Sequence, residues 1–116
     1  MKSLVPALSV LAAVAFIPAP APALTMEQFL TICHSRPGAE CETHPVLQAY
    51  VGGSLDMIAM LDEETDYLKE VYCANPKTLF DVNKIIQFME DHAQDHGDRN
   101  AMLLVIRYLE ERGGCR

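Results

Sequence analysis

Basic side chains are scarce in this chain of 116 residues, which has nine Lys and Arg residues against 16 Asp and Glu residues. Nucleic acids and anionic membranes attract proteins through clusters of basic side chains, so the acidic balance argues against both as partners. It fits a basic protein partner, although the need for solubility explains it equally well. The charge therefore narrows the class of partner without identifying one.

The N-terminal apolar segment is too short to cross a membrane. It consists of the 14 residues that follow Ser3, whereas a membrane-spanning helix needs about 20. A positive charge at Lys2, the apolar segment and the small residues of Ala21-Pro22-Ala23 are together typical of a secretory signal peptide. The sequence therefore predicts an exported protein.

Cleavage of this signal peptide is expected before Leu24, so that residues 1–23 are removed and residues 24–116 form the mature domain. No cysteine lies near the cut, which argues against a lipoprotein. Cleavage also removes Lys2 and leaves eight basic against 16 acidic residues, a net charge of −8. We expect a periplasmic protein that has no membrane span after cleavage.

Sustained alternation of apolar and polar residues, which a half-buried strand shows, is absent, and apolar residues recur at helical spacing instead. Polar or Gly-containing connections separate four such segments. The predicted helices run from about Met26 to His34, from Pro45 to the acidic segment 62–66, from the capping pair Thr78 and Asp81 through Met89, and from about Asn100 to Arg112. The sequence therefore predicts an all-α fold, a small disulfide-bonded antiparallel bundle of about four helices.

The second predicted helix has apolar side chains over much of its circumference, which predicts a central, buried helix. It also contains Gly52 and Gly53, although each glycine weakens a helix by about 1 kcal/mol relative to alanine. One explanation is the close approach of another helix, from the same bundle or from a second subunit. The other is a kink or break in the helix at this point.

The four cysteines include no Cys-x-x-Cys pair, which argues against a zinc site. An even number of cysteines in an exported chain of this size predicts two disulfides, and four cysteines allow three connectivities. In an up-and-down bundle, the end of helix 1 and the start of helix 2 share one end, and Cys73 and Cys115 share the other. This arrangement favours the pairs Cys33–Cys41 and Cys73–Cys115.

Sequence signatures of catalysis are missing as well. The chain has no Gly-x-Ser-x-Gly motif and no Gly-rich phosphate loop, and every cysteine can pair in a disulfide. His92 and His96 have the spacing of a metal-binding pair, but a metallopeptidase helix has Glu directly after the first His, where this chain has Ala93. We therefore predict a solvated polar turn at this place, with no metal, no cofactor and no enzymatic activity.

Several short motifs follow one another along the mature chain. Phe29-Leu30-x-x-Cys33 comes first, and Tyr50-x-x-Gly53-x-x-Asp56 follows in the second helix. Tyr72-Cys73-x-x-Pro76 precedes an apolar helix that starts at Val82, and the segment 101–109 leads to a cysteine near the C-terminus. This order of motifs resembles the Rap/Tai family of bacterial immunity proteins.

The resemblance implies an exported, all-helical, disulfide-bonded protein that is often a homodimer. Described members of the family bind and block peptidoglycan amidase effectors delivered by type VI secretion, and so protect the producing cell and its siblings. By matching position, the resemblance implies three structural cysteines, Cys33, Cys73 and Cys115. It also implies that the helix motif of the family consists of Tyr50, Gly53 and Asp56.

Inhibition in this family would work by occlusion, in which a loop or helix enters the amidase cleft and blocks the substrate. We expect the turn Asp95-His96-Gly97-Asp98 to make this contact, because it is polar, predicted to be mobile and dispensable to the core. The chain departs from the family pattern at Leu47, where the family has a cysteine three residues before the Tyr. The cysteine of this chain stands at Cys41 instead.

A periplasmic acid-stress chaperone is the alternative function. Such proteins are also small, helical and disulfide-bonded, and they expose apolar surface when their carboxylates are protonated. The 16 acidic residues permit this behaviour. Those chaperones are usually rich in Lys, however, and the mature chain has three, so we favour the immunity function.

Overall fold

The computed structural model of the protein describes residues 23–70, 73 and 79–115, without the side chain of His96. Within these residues the fold is a small, disulfide-bonded antiparallel bundle that has no strand, which confirms the predicted all-α class. Its four helices are α1 (Met26–Cys33), α2 (Pro45–Thr65), α3 (Val82–His92) and α4 (Met102–Arg112). Residues 1–22 of the predicted signal peptide lie outside the described residues.

The first two helices begin where the sequence predicts. The Thr25 hydroxyl accepts a hydrogen bond from the Gln28 N–H at 3.1 Å, and the Gln28 side chain accepts one from the Thr25 N–H at 2.9 Å. The predicted capping box of α1 is therefore confirmed. Pro45 occupies the first position of α2, where its missing N–H costs nothing. α2 ends at Thr65, within the acidic segment 62–66, and Asp66 follows in the left-handed conformation with φ 54°.

The start of α3 differs from the prediction. A capping pair of Thr78 and Asp81 would place the N-cap at Thr78, which lies outside the described residues. The N-cap is instead Asp81, whose carboxylate accepts a hydrogen bond from the Lys84 N–H at 3.2 Å. The short Asp side chain satisfies a donor of the first turn directly, so the helix starts at Val82 and needs no cap upstream. After His92 the chain continues into a short 3-10 turn.

Both disulfides have the favoured connectivity. Cys33 at the end of α1 is bonded to Cys41, which lies in a short 3-10 turn immediately before α2, and their Cα atoms are 4.8 Å apart. Cys73 is bonded to Cys115 beyond α4, with Cα atoms 5.0 Å apart, and its N–H donates to the Gly113 carbonyl at 2.7 Å. The two bonds therefore tie α1 to α2 and the segment before α3 to the end of α4.

The core lies between α2, α3 and α4, because α3 contacts both of the other helices and α2 also contacts α4. α1 packs against α2 and against the 3-10 turn that follows α3. Leu47, which stands where the Rap/Tai pattern has a cysteine, is fully buried in this core. The other large side chains that are fully buried are Met26, Phe29, Val51, Ile85, Ile86, Met89, Leu104, Val105 and Leu109.

Candidate protein-binding surface

One face of α2 supplies the central part of the core. Its buried residues recur every three or four positions, which places them on one side of the helix, and they are Leu47, Val51, Ser54, Leu55 and Ile58. Ser54 is the one polar residue of this face, and its hydroxyl donates a hydrogen bond to the Tyr50 carbonyl at 2.7 Å. This face supplies the fully buried contacts of α2 in the bundle.

A second apolar face of α2 is exposed. Its members also recur every three or four positions, and we call them the outer stripe: Val46, Ala49, Gly53, Met57 and Met60. The three large side chains among them are exposed to 53%, 59% and 54%, respectively. Isolated apolar side chains are common on protein surfaces, but a continuous line of them is typical of an interaction site.

The expectation that α2 is buried over most of its circumference is therefore wrong. Among the described residues, one side of the helix is buried and the four described helices leave the other side exposed. The sequence holds the signal for this surface, because the apolar residues of α2 form two separate lines at helical spacing. One line of apolar residues is sufficient to pack α2 into the core, so the second line indicates an exposed apolar surface.

The two glycines of α2 do not approach another helix within the described chain. A Cβ atom built on Gly52 or Gly53 would have no heavy atom within 4 Å, beyond the neighbouring backbone. The helix also runs without interruption from Pro45 to Thr65, so there is no break at this point. Neither close packing inside the bundle nor a helix break explains the glycines. Gly53 lies instead within the outer stripe, where it leaves the helix backbone accessible from outside.

A depression of about 150 Å³ adjoins the outer stripe. Met57 and Leu61 of α2, the exposed Tyr67 and two residues of α4, Met102 and Ile106, contribute apolar walls. Ile58 and Ser54 complete the lining, and the Ser54 hydroxyl is already satisfied by its own helix. A cavity of this size holds about one aromatic ring or one large aliphatic side chain. The surface therefore combines an exposed line with a socket at its side.

Acidic residues lie along the outer stripe. Asp56 and Glu63 are seven positions apart on α2, so they follow one edge of the stripe, and both are exposed. Glu64 is exposed at the C-terminal end of the stripe. The chain has no Lys or Arg between Arg36 and Lys69, whereas seven Asp and Glu residues fall in this interval. The apolar surface therefore has an acidic rim to which α2 adds no positive charge.

The helix motif implied by the family resemblance lies on α2, and its three residues have different environments. Tyr50 is half-buried, and burial raises the pKa of its hydroxyl above the ordinary value of 10.0, while a hydrogen bond with the Met102 backbone lowers it. Gly53 is exposed in the outer stripe, and Asp56 is exposed at its edge. Tyr50 thus joins α2 to α4, and the other two residues belong to the candidate surface.

The turn Asp95-His96-Gly97-Asp98, predicted as the partner contact, is attached to the bundle by its backbone. The Met26 N–H donates to the Arg99 carbonyl at 2.9 Å, and the Glu27 N–H donates to the Gly97 carbonyl at 2.9 Å. These are donors of the first turn of α1, which have no partner within their own helix. The idea that the turn is dispensable to the core is therefore wrong. Its two Asp residues are nevertheless exposed, and its role as a partner contact stays a prediction.

His92, the first member of the histidine pair, is positioned by local contacts at the end of α3. The His92 ring stacks on Phe88 with centroids 4.1 Å apart, and its Nδ1 lies 2.7 Å from the Phe88 carbonyl. Elsewhere, potential ligand atoms of Cys33, His34 and Glu90 lie within 4.8 Å of one another. Cys33 is in a disulfide and has no thiolate, so this group offers two ligands and does not make a metal site.

Comparisons with known proteins give no relative for this chain. A scan against protein-family models found no match, and neither did searches of curated proteins and of solved structures. In the part of the chain that the structure describes, no helix is long and apolar enough to span a membrane. The function is therefore argued from the surface of α2 and from the sequence motifs.

Proposed function

We propose that the protein is an exported, non-catalytic helical binding protein, an immunity protein that binds and blocks a peptidoglycan amidase effector of type VI secretion. The observation that carries the binding function is the exposed outer stripe of α2 with its apolar socket. The amidase as target rests on the resemblance of the sequence motifs to the Rap/Tai family. The acidic balance of the mature chain fits a basic protein partner.

The stripe offers enough apolar area to contribute strongly to binding. Complete burial of a Val or Met side chain stabilises by about 1.5–3 kcal/mol, and the three large side chains of the stripe are about half exposed in the free domain. Each would therefore add about 1 kcal/mol when a partner covers it. A side chain that fills the socket would add more, because contacts in fully desolvated pockets dominate binding energies.

Occlusion requires no catalytic group on the inhibitor. A partner amidase whose cleft or cleft rim is covered by the α2 surface would lose access to its substrate. The turn Asp95-His96-Gly97-Asp98 is a second candidate for this contact, and its exposed carboxylates would then face basic groups of the amidase. If the α2 surface makes the contact, substitutions in α2 will weaken inhibition, and if the turn makes it, substitutions in the turn will.

The test is inhibition of amidases by the oxidised mature chain. The first amidase to assay is any that is encoded in a neighbouring reading frame, with peptidoglycan hydrolysis and direct binding as readouts. Met57→Lys places a charge in the stripe without touching the buried face, and we expect it to weaken binding about tenfold or more. Asp95→Ala tests the turn in the same assays.

The result decides between the surfaces and tests the proposal itself. Inhibition lost in Met57→Lys and kept in Asp95→Ala supports the α2 surface, and the reverse supports the turn. A circular dichroism melt of each variant shows whether its fold is intact. Absence of both binding and protection with every candidate amidase would count against the immunity function.

An acid-stress chaperone is the second candidate, because an apolar stripe beside carboxylates is also suited to holding unfolded clients. The 16 acidic residues of the chain permit the gain of apolar surface at low pH that such chaperones show. Light scattering of an aggregating client at pH 2 to 3 tests this function. Suppression of aggregation by the wild type and not by Met57→Lys would favour the chaperone.

A further inference from the structure

We propose that the outer stripe of α2 binds an amphipathic helix whose apolar face carries one bulky anchor and is flanked by Lys or Arg. This inference rests on the proposed binding function and adds the chemistry of the segment that binds. It concerns a helix of another protein and not a second copy of this chain. Three features of the surface support it: its length, its socket and its charge.

The shape of the surface fits a helix. From Val46 to Met60 the stripe extends along 14 residue steps of α2, which is about 21 Å or four helical turns. Residues in the middle of the stripe are small, Ala49 and Gly53, and larger side chains stand at both ends. Another helix can therefore approach α2 closely at its centre, because small residues allow short distances between helix axes. Recognition of an amphipathic helix by an apolar groove is a common binding mode.

The socket beside the stripe specifies an anchor residue. Its volume of about 150 Å³ suits one Leu, Met or Phe side chain, and the Ser54 hydroxyl in its lining is already hydrogen-bonded. Met57 and Met102 line the socket, and Met side chains adapt to differently shaped partners. A partner helix that lies on the stripe can reach this depression because Met57 belongs to both.

The negative charge around the outer stripe favours a partner helix with basic residues beside its apolar face. Asp56 and Glu63 follow one edge of the stripe, Glu64 closes its end, and α2 contains no Lys or Arg. Basic side chains on the partner would pair with this rim, whereas acidic ones would be repelled. A second copy of this chain would bring the same acidic rim and a net charge of −8 to the contact. Charge complementarity therefore favours a basic helix over self-association.

Three labelled peptides of about 18 residues test the inference by fluorescence anisotropy with the oxidised mature chain. The first has a Leu stripe with Lys on its flanks, and the second has the same stripe with Glu flanks. The third has the composition of the first in a scrambled order that removes the stripe. We expect the first peptide to bind about tenfold or more tightly than either of the others.

Matched variants separate the rim from the net charge. Asp56→Lys reverses a charge on the rim, and Asp91→Lys makes the same change at an exposed position of α3. We expect Asp56→Lys to weaken binding of the first peptide about fivefold, and Asp91→Lys to change it less than twofold. Met57→Lys should remove binding of the first peptide, and its circular dichroism melt reports whether the domain still folds.

Several results would overturn the inference. They are equal binding of the Lys-flanked and Glu-flanked peptides, equal binding of the scrambled peptide, or no binding of any peptide up to about 1 mM. A wild-type dimer in sedimentation velocity that Met57→Lys converts to monomer would show that a second copy covers the stripe. If an amidase is still inhibited while the peptides show none of the expected preferences, this inference fails and the proposed function stands. If the peptides bind as expected and no amidase is inhibited, the proposed target fails instead.

Discussion

Replacing Gly53 by alanine tests the structure of α2 directly. A Cβ atom at Gly53 or at Gly52 would have no heavy atom of another element within 4 Å, so neither substitution creates a clash. Alanine is favoured over glycine in the interior of a helix by about 1 kcal/mol. In a domain of this size, 1 kcal/mol changes the Tm by about 4–8 °C. We therefore expect Gly53→Ala and Gly52→Ala each to raise the Tm by several degrees.

Gly38→Ala is the matched control for this experiment. Gly38 also has open space around its Cβ position, but its φ of +79° lies in the left-handed region. An alanine there costs about 1–2 kcal/mol, so we expect a lower Tm without any clash. The assay is thermal unfolding by circular dichroism of the oxidised mature chain at several protein concentrations. A lower Tm for Gly53→Ala would contradict the exposed position, and a loss that increases with concentration would show a second molecule packed on the glycine.

Three further predictions concern pH, disulfides and capping. Burial raises the pKa of Tyr50 above 10.0, so the stability that its neutral hydroxyl contributes is complete below pH 10 and is lost as the pH rises through the folded-state pKa. We therefore expect the Tm of Tyr50→Phe to fall less steeply above pH 10 than the Tm of the wild type. Replacing the Cys73–Cys115 pair by serines should lower the free energy of unfolding by about 4 kcal/mol, and replacing the Cys33–Cys41 pair should lower it by about 2.5 kcal/mol, because the two disulfides close loops of 42 and 8 positions. If urea unfolding gave the opposite order, the loop-entropy argument would be refuted. Asp81→Ala should cost about 1 kcal/mol in the same assay, and no loss would mean that Asp81 is not the functional N-cap.

Local signals in the sequence predicted most of the fold. The capping pair of Thr25 and Gln28, Pro45 at a first helical position and the spacing of the cysteines were sufficient for two helix starts and both disulfides. These features depend on neighbours in the sequence or on the simplest antiparallel packing. At α3 the same kind of reasoning failed, because Thr78 and Asp81 are both good N-caps and composition does not choose between them.

The candidate surface was harder to predict, since exposure depends on how many elements surround a helix. The apolar residues of α2 show that two of its faces can pack, but the number of neighbouring helices decides which face stays exposed. The socket joins α2 with Met102 and Ile106 of α4, and no local pattern reports such a contact. For the same reason the sequence does not predict that the turn 95–98 is bonded to α1, because the Gly97 carbonyl accepts from Glu27, which is far away in the sequence.

The hydrogen bonds between α1 and the segment before α4 have a consequence for the order of folding. α1 has eight residues, and a helix of this length is not stable alone in water. The first two N–H groups of α1 donate to the carbonyls of Arg99 and Gly97, and these residues are synthesised late because they lie near the end of the chain. The loop between Cys33 and Cys41 is short and can close early, but the bonds from α1 to Gly97 and Arg99 cannot form until the chain is almost complete. α1, which is synthesised before the other three described helices, therefore completes its hydrogen bonds only late in folding.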